Sequence, residues 1–176
     1  MKYIYFFILF SNLIFCQSSF SEFNSEDFYI KYSNDLKQSK ENYSAELFLL
    51  TEKKDSTDDF IENLNVLKQD LKGKNIDLNK FVKISEQQIS SFGQLIESKQ
   101  ININKKNGHL MLYEGEMKGQ KLKFFQYFFI KNEKAYILTY TAKTEDFDLY
   151  FNTMKSAMDS FDLNRKSLKH YQKGAN

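Results

Sequence analysis

The sequence predicts an α+β protein, an α/β/α sandwich built on a central antiparallel sheet. Three observations carry that expectation. Between residues 95 and 142, four apolar-rich segments follow one another, separated only by the turn signals Lys106-Asn107-Gly108, Lys118-Gly119-Gln120 and Asn132-Glu133. Close spacing of this kind reads as an antiparallel meander. The third segment, Lys121–Lys131, is apolar on both faces: Leu122, Phe124, Phe128 and Ile130 alternate with Phe125, Tyr127 and Phe129. Such a strand belongs in the middle of a sheet with a layer on each side. Each buried Phe contributes roughly 1.5–3 kcal/mol, so leaving one face wet forfeits several such terms. The third observation is helical spacing of apolar residues on either side of the meander.

The elements follow in order. Residues 1–16 read as a signal peptide. Lys2 gives a positive start, and an apolar run covers Tyr3–Phe10 and Leu13–Phe15 before polar Gln17, Ser18 and Ser19. The run falls short of the ~20 apolar residues of a spanning helix. Cleavage between Cys16 and Gln17 leaves no integral span; an uncleaved N-terminal anchor is the competing reading. Cys16 also allows a lipoprotein anchored through that residue, although Phe15 is bulkier than a lipid-attachment motif accepts. Residues 17–26 read as a flexible leader, and 27–163 as one domain.

Within the domain, Asp27–Tyr32 and Tyr43–Thr51 alternate as strands. Phe60, Ile61, Leu64, Leu67 and Leu71 are spaced by three and four, which predicts a helix from Thr57 to Lys72 with Gly73 after it. Leu78, Phe81, Val82, Ile89 and Phe92 predict a second helix, ended by Gly93. The strands Leu95–Asn104, His109–Met117, Lys121–Lys131 and Lys134–Ala142 come next. A third helix begins after Thr144, with Glu145 and Asp146 where the helix dipole favours negative charge. Its stripe is Phe147, Tyr150, Phe151, Met154, Met158 and Phe161. Residues 164–176 are a polar tail.

Composition narrows the function. The 176 residues suit one domain; 41% hydrophobic and 16% aromatic content suffices for a core. The 25 basic and 23 acidic residues leave a net charge of +2, so no electrostatic reason exists to expect nucleic acid. The single cysteine excludes an internal disulfide. His109 and His170 stand in different elements without ligand spacing, and no cofactor or metal is expected. His109 reads as the exposed start of a hairpin strand. No serine lies in a nucleophile elbow. Asp58, Asp59, Glu114 and Glu116 could do acid–base work, but Asp58 and Asp59 read as helix N-terminal charge, and Glu114 and Glu116 as one face of a strand at a solvated edge. Gly115 inside a strand suggests a bulge or a close approach. The most distinctive polar-aromatic cluster is Tyr136, Thr139, Tyr140 and Thr141, a candidate ligand or partner groove where the sheet meets the last helix.

Several of these residues also carry a likeness. The Gly119 turn, Gln126-Tyr127, the run Lys134 to Ala142, the helix opening with Phe147 and Tyr150, and the closing Ser160-Phe161-Asp162-Leu163 together resemble the PsbP-like superfamily, including bacterial DcrB-type exported proteins. The resemblance covers about a third of the chain, within 108–163. It implies an α/β/α sandwich and a non-catalytic accessory role, as in an extrinsic photosystem II subunit, a binder of the small GTPase Ran, and periplasmic proteins. This sequence lacks the Trp and Pro of the plant type's first strands. The expected function is an exported binding protein of the cell envelope, periplasmic or secreted, with an envelope protein as partner. The alternative is a carrier of a small apolar ligand held between sheet and helices.

Overall fold

The computed structural model describes residues 19–41 and 44–163. The signal segment, its junction at Cys16 and Gln17, and the tail lie outside the described residues. Eleven elements run in the order β1 Phe20–Asn24, β2 Tyr29–Ser33, β3 Lys37–Gln38, β4 Leu47–Leu50, β5 Asn63–Asp70, α1 Leu78–Ile89, β6 Gly93–Ile103, β7 Lys106–Met117, β8 Gln120–Lys131, β9 Lys134–Lys143 and α2 Phe147–Asp159. Strands β1 and β2 pair as a hairpin of their own. The other seven form an antiparallel sheet ordered β3-β4-β5-β9-β8-β7-β6.

The meander β6 to β9 is joined by three two-residue turns, each with positive φ at both residues: Asn104-Lys105, Lys118-Gly119 and Asn132-Glu133. That backbone twist matches the twist of the strands it connects. The first turn lies earlier than the expected Lys106-Asn107-Gly108. Gly108 instead sits inside β7 opposite Ile101. A Cβ there would stand 2.5 Å from Phe129 Cε1, so glycine admits the ring.

Strand β8 lies between β9 and β7, and its two apolar rows separate as the alternation requires. Phe125, Tyr127 and Phe129 join the core beneath α2, with Phe28, Ile30, Leu47, Leu49, Leu64, Tyr140, Met154 and Phe161. Leu122, Phe124 and Phe128 join the core beneath α1, with Phe81, Val82, Ile89, Met111 and Tyr113. The layers are therefore α2 with the β1–β2 hairpin, the sheet, and α1.

Among the described residues two helices are present, not three. The segment expected as a helix over 57–72 contains β5, which pairs with β9 along its whole length, from Asn63–Thr141 to Asp70–Lys134. Leu64 and Val66, two apart, are both fully buried. Val66 lies off the helical stripe that predicts the helix, and Asn63, Asn65 and Val66 are weak helix formers. The leader is also revised: over Phe20–Asn24 it is strand β1. Helix α1 is capped by Asp77, whose side chain accepts from the Lys80 amide at 2.8 Å, and ends at Ile89; Gly93 opens β6 instead of closing the helix. Asp146 holds the N-cap position of α2, two residues after Thr144, and makes no side-chain cap hydrogen bond.

Candidate functional site

The β6–β7 register places Ser98 opposite Met111 and Gln100 opposite His109. Ser98 and His109 thus become diagonal neighbours on one face. Helix α1 crosses that face and supplies Glu86. Ser98 Oγ lies 2.7 Å from His109 Nε2 and donates to Glu86 Oε1 at 2.6 Å. His109 is therefore half-buried in the ladder, not exposed at a hairpin start. Burial holds its pKa below the usual imidazole range, against the opposing pull of Glu86. A hydroxyl has one proton to give. With that proton on Glu86, the neutral ring donates Nε2–H to Oγ, a tautomer assigned from its partners. A hydrolytic triad needs the imidazole between hydroxyl and carboxylate, where it can take the hydroxyl proton. Here the hydroxyl stands in the middle, so the group ties α1 to the sheet and does not activate a nucleophile.

The four residues of the candidate groove lie on β9, and all four are buried. Tyr136 and Tyr140 belong to the core beneath α2. Tyr140 donates its hydroxyl to the Phe147 carbonyl at 2.7 Å, and Tyr136 packs edge-on against Phe28. Thr139 and Thr141 point to the opposite face, where Gln126 donates to Thr139 Oγ1 at 3.0 Å. Period-two alternation divides the quartet between two layers. The space beneath α2, where an apolar ligand would sit, is filled by Phe28, Phe125, Tyr127, Phe129, Phe147 and Phe161.

The carboxylates singled out from sequence carry structural charge. Asp58 accepts from the amides of Lys54 and Phe60 at 3.1 and 3.3 Å, and Asp59 is paired with Lys143. These contacts hold both acids below the usual carboxylate range. Glu114 reaches Lys123 at 3.6 Å. Among the described residues, no three His, Cys, Asp or Glu side chains gather as metal ligands, and no helix is long and apolar enough to cross a membrane.

A surface feature stands out where sequence reasoning had none. Strand β6 is the long margin of the sheet, eleven residues against the two of β3 at the other margin. It carries a bulge between Leu95 and Glu97. Phe92, Ile96 and Met117 are each about half exposed, at 49%, 48% and 50%. Phe92 and Met117 stand at the Gly93–Gly115 end of the β6–β7 ladder, and Ile96 stands at the bulge three residues along β6. Phe92 precedes Gly93, Gly93 pairs with Gly115, and Met117 follows two residues along β7. The Phe92 ring leans edge-on against Tyr113 and lies 3.3 Å from where a Cβ on Gly115 would stand. The close approach read from Gly115 is thus this ring, while the bulge lies in the neighbouring strand. Sequence reasoning assigned Phe92 to a buried helix stripe, which hid this apolar end of the ladder.

No protein-family model matches the chain, and no curated protein sequence matches it. Solved structures do. The cyanobacterial PsbP (CyanoP) of Synechocystis sp. PCC 6803 matches with a TM-score of 0.58 at 11% identity, over 83% of this chain and 93% of its own. PA94 of Pseudomonas aeruginosa, described as a putative regulator of unknown function, matches at 0.56 and 15%, over 80% and 94%. LpqN of Mycobacterium tuberculosis, described as involved in cell envelope biogenesis, matches at 0.64 and 9%, over 81% and 89%. The α+β architecture described above is therefore the PsbP-like fold, and at these identities the likeness carries the fold alone.

Proposed function

We propose that this chain is an exported, non-catalytic binding module of the cell envelope that docks a protein partner along the β6 margin, at Phe92, Ile96 and Met117. The observation that carries the reading is these three large apolar side chains, half exposed on and beside the long free margin of the sheet. Apolar anchors beside open backbone donors and acceptors suit an extended segment of another protein, which adds a strand and seats its side chains on the anchors. The apolar run at residues 3–15 supports export. The same fold in LpqN, a protein of envelope biogenesis, supports the compartment. The order of Glu86, Ser98 and His109 supports a role without catalysis.

Affinity capture from the native envelope tests the proposal, with the wild type compared against a Phe92→Ser, Ile96→Ser, Met117→Ser triple variant. The wild type captures a stoichiometric partner and the variant loses it, while the two melt within a few degrees of each other. Capture of the same partner by both proteins overturns the docking site. Mass spectrometry of the N-terminus reads the leader separately. A start at Gln17 supports cleavage, a diacylglyceryl mass on Cys16 makes the protein a tethered one, and an intact Met1 overturns export by a cleaved signal.

A further inference from the structure

Strand β6 has β7 on one side and, among the described residues, no strand on the other, so one edge of its backbone is open. The two-residue turn Asn104-Lys105 makes Ile103–Lys106 the closing pair of the hairpin, the pair that exchanges both backbone hydrogen bonds. An antiparallel ladder alternates from there. Ile101, Lys99 and Glu97 turn their backbone groups to β7, while Asn102, Gln100 and Ser98 turn theirs outward. The register is unbroken from Glu97 to Ile103, so the outward groups form a regular row up to the bulge at Ile96. Sheet edges are usually blunted by proline, by charge or by a covering element. The chain has no proline. The two charges on this row, Glu97 and Lys99, have opposite signs and are paired with each other at 2.6 Å.

That charge pattern is complementary to itself in one register. A two-fold antiparallel ladder between two copies sets outward residues opposite outward residues, so its centre falls on a single residue. Centred on Glu97 or on Lys99, it sets like charges face to face, which is unfavourable. Centred on Gln100, it sets Lys99 opposite Ile101 and Glu97 opposite Ile103. Centred on Ser98, it sets Glu97 of each copy opposite Lys99 of the other. The pair already formed within each chain then becomes part of a ring of four charges of alternating sign. Ser98 needs no room across the two-fold axis, because its hydroxyl is turned to Glu86 and His109. Ile96, half exposed at the bulge, comes to lie beside Gln100 of the second copy.

We propose that the β6 margin pairs with β6 of a second copy of this chain, antiparallel and centred on Ser98, to form a two-fold dimer with one continuous sheet. The inference rests on the reading above in one respect, that β6 accepts an added strand; the second copy is the occupant while no envelope partner is bound. The bulge in each copy limits the ladder at both ends, so the dimer is weak and reversible, and a partner's strand can take the second copy's place.

The test is sedimentation equilibrium of the purified chain from about 10 µM to about 1 mM, a range that reads weak association. The wild type shows a monomer–dimer equilibrium. Glu97→Lys and Lys99→Glu each turn both cross-strand contacts repulsive and weaken the dimer at least about tenfold. An equimolar mixture of the two variants sets two lysines opposite two glutamates and restores association, which also shows that both variants are folded. A wild type that stays monomeric throughout overturns the proposal. So does a dimer that neither reversal weakens, or a mixture that associates no better than each variant alone. Failure here leaves the docking reading standing if the envelope partner is still captured, and loss of that reading leaves the self-association of the purified chain as it was measured.

Discussion

Position 108 leaves no room for a carbon. Its missing Cβ is where the Phe129 ring sits, and the Phe128 carbonyl closes the space from the other side at 2.8 Å. Gly108→Ala therefore drives one of the core's largest rings off its position, costing about 1–3 kcal/mol as overpacking does. A fall in the urea midpoint measures it, and Phe129→Leu in the same chain recovers part of the loss. An unchanged midpoint would show that the ring has freedom to move. At this scale the sequence is a partial guide. A glycine after asparagine reads as a turn, and nothing local says that a ring two strands' worth of residues away claims its space. Buried Phe and Tyr on both faces of β8 are legible because alternation is a local property. The Glu86–Ser98–His109 contact is not, since it joins a helix to two strands. The full burial of Glu62 is hidden as well: the helical spacing of Phe60, Ile61 and Leu64 makes it look like a solvent-facing residue.

Elements are legible to the extent that one period fits them and the other does not. The four strands of the meander and both helices meet that condition. β5 does not: Leu64 and Leu67 fit a helix, Leu64 and Val66 fit a strand, and the eight-residue ladder with β9 decides. Tertiary pairing overrides a local pattern that is ambiguous by itself. Of the two helices, α1 is the more thinly attached. It buries Phe81, Val82 and Ile89 and adds one polar tie through Ser98. Ser98→Ala removes that tie and leaves Glu86 and His109 without the shared hydroxyl, at a cost of about 1 kcal/mol. Hydrogen exchange should quicken in 78–89 while the amides of β8 keep their rate, because local opening follows local contacts. Equal acceleration in both would mean that α1 and the sheet open as one unit.

The whole molecule holds two kinds of acid whose contributions run oppositely with pH. Burial works to raise Asp27, but the hydrogen bonds and charges of Lys68 and Lys134 outweigh it and hold its pKa below the usual value of 3.8. Its stabilisation is present above that value and is lost as pH falls through the depressed one. Glu62 has the opposite sign. Burial raises it above its ordinary 4.5, so the favourable state is the protonated one. Its contribution is complete below 4.5 and disappears as pH rises through the raised folded value. Glu62→Gln should therefore match the wild type at about pH 4 and exceed it at about pH 8, read from urea midpoints across that range. A wild type as stable as the variant at the upper end would mean that the buried carboxylate has found a partner.

The strand order has a consequence for synthesis. The meander closes through two-residue turns, so its contacts are local in sequence and form early in folding. β5 is made earlier, yet its partner β9 is the last strand of the sheet. Leu64 and Val66 must wait uncovered until residues 134–143 arrive, which makes the nascent stretch 47–70 the segment a chaperone has to hold and a chain truncated before Lys134 prone to aggregate.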